Sequence, residues 1–243
     1  MSEPALPSVC CVMLADGRPE MVRRAVRCFE LQDYSGKKCL LVYDTGHTTI
    51  AREILRYARG IFWARSPQGK GRPIGALRNG AQQWVSCHPL GDVVLVWDSD
   101  DWSHPARIRE QVAFLQASKA EAVGYNRILA WDSRGVGEAW LYQSQVPNYV
   151  VGASLCYWRR VGEQHPFREV AHGSDTFWVA ERKVQAGPSG FEGAEPRLIA
   201  GIHGANTTAA IMQGAPEWKR APEFDGYCRE RMAAQLYLGL EAT

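Results

Sequence analysis

The chain has 243 residues, of which 46% are hydrophobic and 22% charged, an ordinary globular composition with enough length to bury a substantial core. A net charge of +2 and a pI near 8.2 are too mild to argue for nucleic-acid binding. Seven cysteines, an odd number without a Cys-x-x-Cys pair, support neither a disulfide framework nor a zinc site. Cys10, Cys11, Cys28, Cys39 and Cys156 lie in or beside apolar runs, where cysteine acts as a small buried hydrophobe, so a reducing compartment is expected. The N-terminus carries no basic-then-apolar signal segment and no run reaches membrane-spanning length, so the expectation is a cytoplasmic protein. The charge is uneven: between Arg18 and Arg78 basic residues outnumber acidic ones, Arg23, Arg24 and Arg27 among them. Most are read as solvated helix faces, with a few left to favour an anionic ligand.

In chain order, Ser8 to Leu14 reads as a buried strand, and Ala15-Asp16-Gly17-Arg18-Pro19 as a loop feeding a helix with Val22, Ala25, Val26 and Phe29 on one face. Lys38 to Tyr43 is a second strand, followed by an expected helix with Ile50, Ile54, Leu55 and Ala58 inward. A short strand, Ile61-Phe62-Trp63, leads into the turn-rich loop Ser66 to Pro73. Ile74, Leu77, Ala81, Trp84 and Val85 mark the next helix. Val93 to Trp97 is then an apolar run of the kind buried on both faces of a sheet. This alternation predicts an α/β fold with a parallel sheet covered by helices. After a helix begun by Pro105 and carrying Ile108, Val112 and Leu115, the pattern becomes mixed. Strands are expected over Ala122 to Ala130, Glu138 to Gln143 and Tyr149 to Tyr157, and helices around Thr176 to Lys183 and Glu223 to Leu238. No internal repeat appears, so one domain over 1–243 is expected, with about 8–101 binding a nucleotide and about 102–243 an acceptor.

The chemistry concentrates at Trp97-Asp98-Ser99-Asp100-Asp101, where the apolar strand ends in three carboxylates. Like charges this close are relieved by a bound cation, and ligands of open α/β sheets bind beyond the carboxyl ends of the strands. A hard divalent cation, Mg²⁺ or Mn²⁺, takes few carboxylates and completes its shell with substrate phosphates. The competing reading is a cluster of turn and capping aspartates before the following helix.

Several ordered pieces resemble the family 2 glycosyltransferases. Val12-Met13-Leu14-Ala15-Asp16-Gly17-Arg18-Pro19-Glu20 is similar to the family's opening strand and "T-Y-N-R-P-E" loop, with tyrosine and asparagine replaced. Leu41-Val42-Tyr43-Asp44-Thr45-Gly46 is similar to "V-V-D-D-G-S", keeping the first aspartate only. Gly75-Ala76-Leu77-Arg78-Asn79-Gly80-Ala81 resembles "A-R-N-x-G", and Trp97 to Asp101 resembles "L-D-S-D-D". Gly173-Ser174-Asp175-Thr176-Phe177-Trp178 is similar to "G-E-D-x-x-x-W" with serine for glutamate, and Ile202-His203-Gly204-Ala205-Asn206-Thr207 to "R-H-G-x-N-T".

The resemblance implies a GT-A fold: a central, mostly parallel sheet flanked by helices, with a mixed second half. It implies a metal-dependent, inverting transfer of a sugar from a nucleotide-diphospho-sugar, a UDP-sugar first, to an acceptor hydroxyl. Ala15 and Asp44 would line the base pocket, by backbone contact and by carboxylate. Arg78 would lie near the base or diphosphate, Asp98 near the ribose with Ser99 beside it, and Asp100 on the metal. Asp175 would be the general base, and His203 a second metal or phosphate ligand. Ser174 removes a negative charge next to the base and bears on acceptor handling, while Thr45 leaves the nucleotide preference open.

Other readings stand beside these. Asp175 also suits a helix cap, and Trp178, Trp102 and Trp131 are either a sugar-stacking surface or core. Lys70 and Arg72 either close over a diphosphate or are solvated loop charges. A nucleotidyltransferase would need a glycine-rich phosphate loop after the first strand, to which Leu14-Ala15-Asp16-Gly17-Arg18 is poorly suited. A non-catalytic nucleotide-sugar-binding module remains a further alternative. The acceptor is a glycan, a small molecule or a modified nucleic acid, the last requiring base flipping and a basic track.

Overall fold

The computed structural model describes residues 5–46, 59–67, 71–88, 90–191, 195–204 and 214–237. Within these the strands are β1 (Val9–Ala15), β2 (Lys38–Asp44), β3 (Ile61–Arg65), β4 (Val93–Val96), β5 (Trp102–Ser103) and β6 (Ala122–Gly124). They continue with β7 (Arg127–Asp132), β8 (Glu138–Gln143), β9 (Cys156–Trp158), β10 (Val184–Ala186), β11 (Leu198–Ile202) and β12 (Trp218–Arg220). The described helices are α1 (Pro19–Glu30), α2 (Ile74–Cys87), α3 (Arg107–Ser118), α4 (Arg159–Gln164), α5 (Ser174–Ala180) and α6 (Asp225–Tyr237).

Two sheets result. The first has the order β10-β6-β9-β4-β1-β2-β3, in which β9 alone of the described strands runs against the rest. Its inner strands are apolar without interruption because both faces are covered. Met13, Leu40, Val42 and Leu95 pack with Val22, Ala25, Val26 and Phe29 of α1 and Ile108, Val112 and Leu115 of α3. The alternate residues Cys10, Leu41, Val94 and Val96 pack with Ala81 and Val85 of α2. Each fully buried Val, Leu, Ile, Phe or Met side chain among them contributes about 1.5–3 kcal/mol. The second sheet, ordered β12-β8-β7-β11-β5, is mixed. Its β5 continues directly from the acidic turn after β4, so the turn lies where the sheets meet. This is the α/β architecture the alternation predicts.

The second half departs from the expected elements in detail. The run Ala122 to Ala130 is not one strand: it divides at Tyr125-Asn126, giving β6 to the first sheet and β7 to the second. Tyr149 to Tyr157 is a connecting segment with a 3-10 turn at Gly152–Ser154, and only its end joins β9. The helix expected to run to Lys183 stops at Ala180, and β10 follows. Pro105 sits in the turn ahead of α3, and α6 starts at Asp225 after a 3-10 turn. The helix expected around Ile50 to Ala58 lies outside the described residues. Cys10, Cys11, Cys28, Cys39, Cys156 and Cys228 are buried free thiols. Among the described residues no helix is long and apolar enough to cross a membrane.

One buried side chain joins these parts. Arg107, at the start of α3, is fully buried and donates to Val96 O at the end of β4 (2.9 Å), Ala153 O in the 152–154 turn (2.8 Å), Ser103 Oγ in β5 (2.8 Å) and Gln111 Oε1 (3.1 Å). Its guanidinium also lies 5.1 Å from the Trp97 ring centre. Arg107→Met keeps much of the volume but strands buried acceptors, and is expected to destabilise the protein by about 3 kcal/mol. Urea unfolding checks this; a midpoint equal to wild type would show that the other contacts hold these segments alone.

Candidate active site

The acidic turn begins where β4 ends, held from three sides. Trp97 is buried and its indole N–H donates to Ala25 O of α1 at 3.0 Å. Arg24, also buried, donates from Nη2 to the carbonyl of Asp100. Asp101 Oδ1 accepts the backbone N–H of Gly201 at 3.0 Å, joining the turn to β11. A Cβ on Gly201 would lie 2.1 Å from Asp100 O, so only glycine permits this approach. β11 in turn delivers His203, whose Nε2 is 3.0 Å from Asp100 Oδ2. Asp101 thus supports the turn, as the competing reading expects of the cluster.

Asp98 points elsewhere. It lines a small cavity with Arg78, Gln82, Tyr157 and Phe167 over Val12, Leu14 and Val96 at the ends of β1 and β4. Burial, and next the negative charge of Asp100, push its carboxyl up to about 6, against the pull of Arg78 and Arg107. Asp101 is raised well above the usual carboxylate range by burial, then by Asp100 and Asp98, while the Gly201 N–H opposes the rise.

On the other side of Arg78, Asp175 lies in the first turn of α5. Its Oδ1 lies 3.8 Å from Arg78 Nη1, which is 3.5 Å from Ser174 Oγ and stacks 5.4 Å from the Phe167 ring centre. The carboxylate rests on the 152–154 turn, where a Cβ on Gly152 would fall 1.7 Å from Asp175 Oδ2. Asn79, next to Arg78, pairs with both backbone groups of Phe167, donating to its oxygen at 2.9 Å and accepting its N–H at 2.8 Å. The Arg-Asn pair therefore divides its work between the cavity and the segment that walls it.

The remaining expected donor residues sit at the neighbouring strand ends. Ala15 O accepts Thr45 N at 2.8 Å and Thr45 Oγ1 at 3.0 Å. Asp44 is buried, with Oδ1 accepting from Gly46 N (2.9 Å) and Oδ2 from Trp63 Nε1 (3.3 Å). Ser99 is buried within the acidic turn. Asp98 lies near Arg78, Asp100 and Asp175, and Asp100 meets His203, while Ala15 and Asp44 pair at the ends of β1 and β2. The stacking alternative for Trp102, Trp131 and Trp178 fails, because all three are core, at 5%, 8% and 1% exposure. Arg72 is exposed and 3.7 Å from Glu169, and Lys70 lies outside the described residues.

Among the described residues no group of three or more His, Cys, Asp or Glu side chains could hold a metal. The pair Asp100 and His203 nevertheless suits a cation completed by substrate. Adjacent ligands on an octahedral ion with bonds of about 2.1 Å are about 3.0 Å apart. That is the separation of Asp100 Oδ2 and His203 Nε2. Arg18, Arg24, Arg107, Gly152 and Gly201 complete the arrangement and were not assigned to it from sequence. Arg18 lies inside a motif and Arg24 among the basic residues read as solvated helix faces, whereas nothing in the local sequence singles out Arg107, Gly152 or Gly201.

The α/β sheet with an acidic turn at the carboxyl end of a central strand matches the GT-A type of glycosyltransferase fold in solved structures. The structure of S. aureus TarS 1-349 in complex with UDP matches with a TM-score of 0.62 at 15% identity, over 80% of this chain and 60% of that one. TarS 1-349 in complex with UDP-GlcNAc matches with a TM-score of 0.63 at 14% identity, over 94% and 66%. The mannosyltransferase PcManGT from Pyrobaculum calidifontis, in complex with GDP-Man and Mn²⁺, matches with a TM-score of 0.59 at 14% identity, over 97% and 70%. The chain spans about 60% of the first of these and 37% of the longer TarS structure. No curated protein matches by sequence. The glycosyl transferase family 2 model matches residues 10–184, and the chain belongs to that family.

The raised Asp98 carboxyl has a consequence for the metal-free protein. Between the ordinary value of 3.8 and about 6 the folded state holds a proton that the unfolded chain has released. This contribution to stability is present below that window and is lost as pH rises through it. Asp98→Asn is expected to flatten the fall in stability from about pH 4 to 6 relative to wild type. Thermal melts across that range decide; parallel curves would exclude the shift.

Proposed function

We propose that this protein transfers a sugar from a nucleotide-diphospho-sugar to an acceptor hydroxyl, with inversion at the anomeric carbon and a divalent cation, Mn²⁺ or Mg²⁺, at Asp100 and His203. The observation that carries the reading is the closeness of Asp98 to Arg78, Asp100 and Asp175, and of Asp100 to His203, at the strand ends of a family 2 scaffold. The relatives in complex with UDP, UDP-GlcNAc, or GDP-Man and Mn²⁺ support the donor class and the cation. In this reading residues up to about 101 serve the donor, and those after it the acceptor.

The roles follow from the chemistry of each group. Asp98 meets the ribose hydroxyls at the cavity, and Arg78 supplies a guanidinium to the base or diphosphate. Ala15, Asp44 and Ser99 border the nucleotide. Asp175 takes the proton from the acceptor oxygen as that oxygen bonds to the anomeric carbon and the bond to the diphosphate breaks. Arg78 and the Gly152 backbone hold its carboxylate in place. A bound cation supplies charge stabilisation to the leaving diphosphate.

Binding is tested by thermal shift or calorimetry with UDP, GDP and their sugars, with and without Mn²⁺; failure of every one to bind would sink the donor assignment. Asp175→Asn is expected to retain UDP and Mn²⁺ binding and lose about 10²–10⁴-fold in turnover. Wild-type protein that binds a donor but neither hydrolyses nor transfers it would instead be a binding module. Gly152→Ala leaves the carboxylate present but displaced, and is expected to lower turnover by at least about tenfold with donor affinity retained. Unchanged turnover would separate Asp175 from the chemistry.

A further inference from the structure

Arg18 occupies the position where the proposed cation would act. The loop between β1 and α1 holds its backbone, and Arg18 O accepts Val22 N at 3.0 Å at the start of α1. Its side chain is 35% exposed, whereas those of Asp100 and His203 are 13% and 14% exposed. The guanidinium therefore approaches the pair from the solvent side. Its Nη1 contacts His203 Nε2 and lies 3.6 Å from Asp100 Oδ2.

These contacts cannot all be hydrogen bonds at once. If Nε2 accepts from Arg18, it has no proton for Asp100, and two lone pairs face each other across 3.0 Å. If Nε2 carries the proton toward Asp100, Arg18 and His203 meet donor to donor. Arg18 thus lies within ion-pairing distance of Asp100, while only one of the two contacts of His203 Nε2 is a hydrogen bond. A divalent cation accepts both lone pairs and brings twice the charge, but has to displace the guanidinium first.

We propose that Arg18 is a resident counter-ion of Asp100 and His203, which makes cation binding depend on the donor. Metal alone competes with Arg18. Metal arriving with a nucleotide diphosphate offers the displaced guanidinium a better partner, since its fork suits phosphate oxygens. The two ligands then bind cooperatively because they share one displacement. This rests on the cation reading above.

The test titrates Mn²⁺ into the metal-free full chain with and without UDP, following free Mn²⁺ by electron paramagnetic resonance. Arg18→Met is expected to bind Mn²⁺ alone about tenfold more tightly than wild type, with a smaller gain on adding UDP. Arg18→Lys keeps the charge without the fork and should fall between them; circular dichroism of each variant verifies the fold. Equal or weaker Mn²⁺ binding by a folded Arg18→Met protein overturns the counter-ion role while leaving the cation site standing. Absence of Mn²⁺ binding by every form, with UDP or with GDP, overturns both.

Discussion

The arrangement depends on the burial of Arg107. A guanidinium taken wholly out of water is costly unless its donors are satisfied and its charge is opposed. Protein acceptors take four of its five N–H donors, and they belong to the end of β4, the 152–154 turn, β5 and α3 itself. The opposing charge comes from Asp98 and Asp101, on which Arg107 acts against burial. One cation therefore holds the strand end bearing the acids and the turn on which Asp175 rests. The polar network extends further: Gln111 donates to Ser154 O at 2.6 Å, and Ser154 Oγ accepts Tyr125 N at 2.7 Å. Each of these buried hydrogen bonds is lost if a segment shifts, so together they favour one placement of the segments.

The first half was legible because its signal is burial on two faces. β1, β2 and β4 are apolar runs, and the helices described between them show one inward stripe. The second half was harder to read for a physical reason. β5, β10 and β12 are two or three residues long and exist through pairing, with no periodicity of their own to reveal them. The run from Ala122 to Ala130 looks continuous, yet Ser154 Oγ takes the Tyr125 N–H at the point where the chain changes sheets. That interaction comes from 29 residues away, so local pattern cannot show it.

Site residues divide in the same way. Asp98, Asp100, Arg78, Asp175 and His203 were readable because each stands in a short run whose residue types are unusual together. Arg24 and Arg107 were not, since a basic residue in an amphipathic helix reads as surface until the acceptor it reaches is known. Arg24 ends on the carbonyl of Asp100 and Arg107 on that of Val96, both beyond the reach of helix periodicity. Gly152 and Gly201 were silent for the opposite reason: what they contribute is space, for Asp175 and for the Asp100 carbonyl.

Charge balance links the two kinds of residue. Four carboxylates, Asp98, Asp100, Asp101 and Asp175, share the site with four arginines, Arg18, Arg24, Arg78 and Arg107. Burial first, and then the neighbouring acids, raise Asp98 and Asp101, and the arginines oppose the rise, Arg107 at both and Arg78 at Asp98. On the proposed reading, a nucleotide sugar brings one negative charge on each of its two phosphates, and a divalent cation brings the equal opposite charge. Either ligand alone disturbs the balance, whereas both together leave it unchanged. Arg24 and Arg107 are fixed by buried carbonyls, and Arg78 is bound to the Asp175 side, which leaves Arg18, on its exposed loop, to move as the charges exchange.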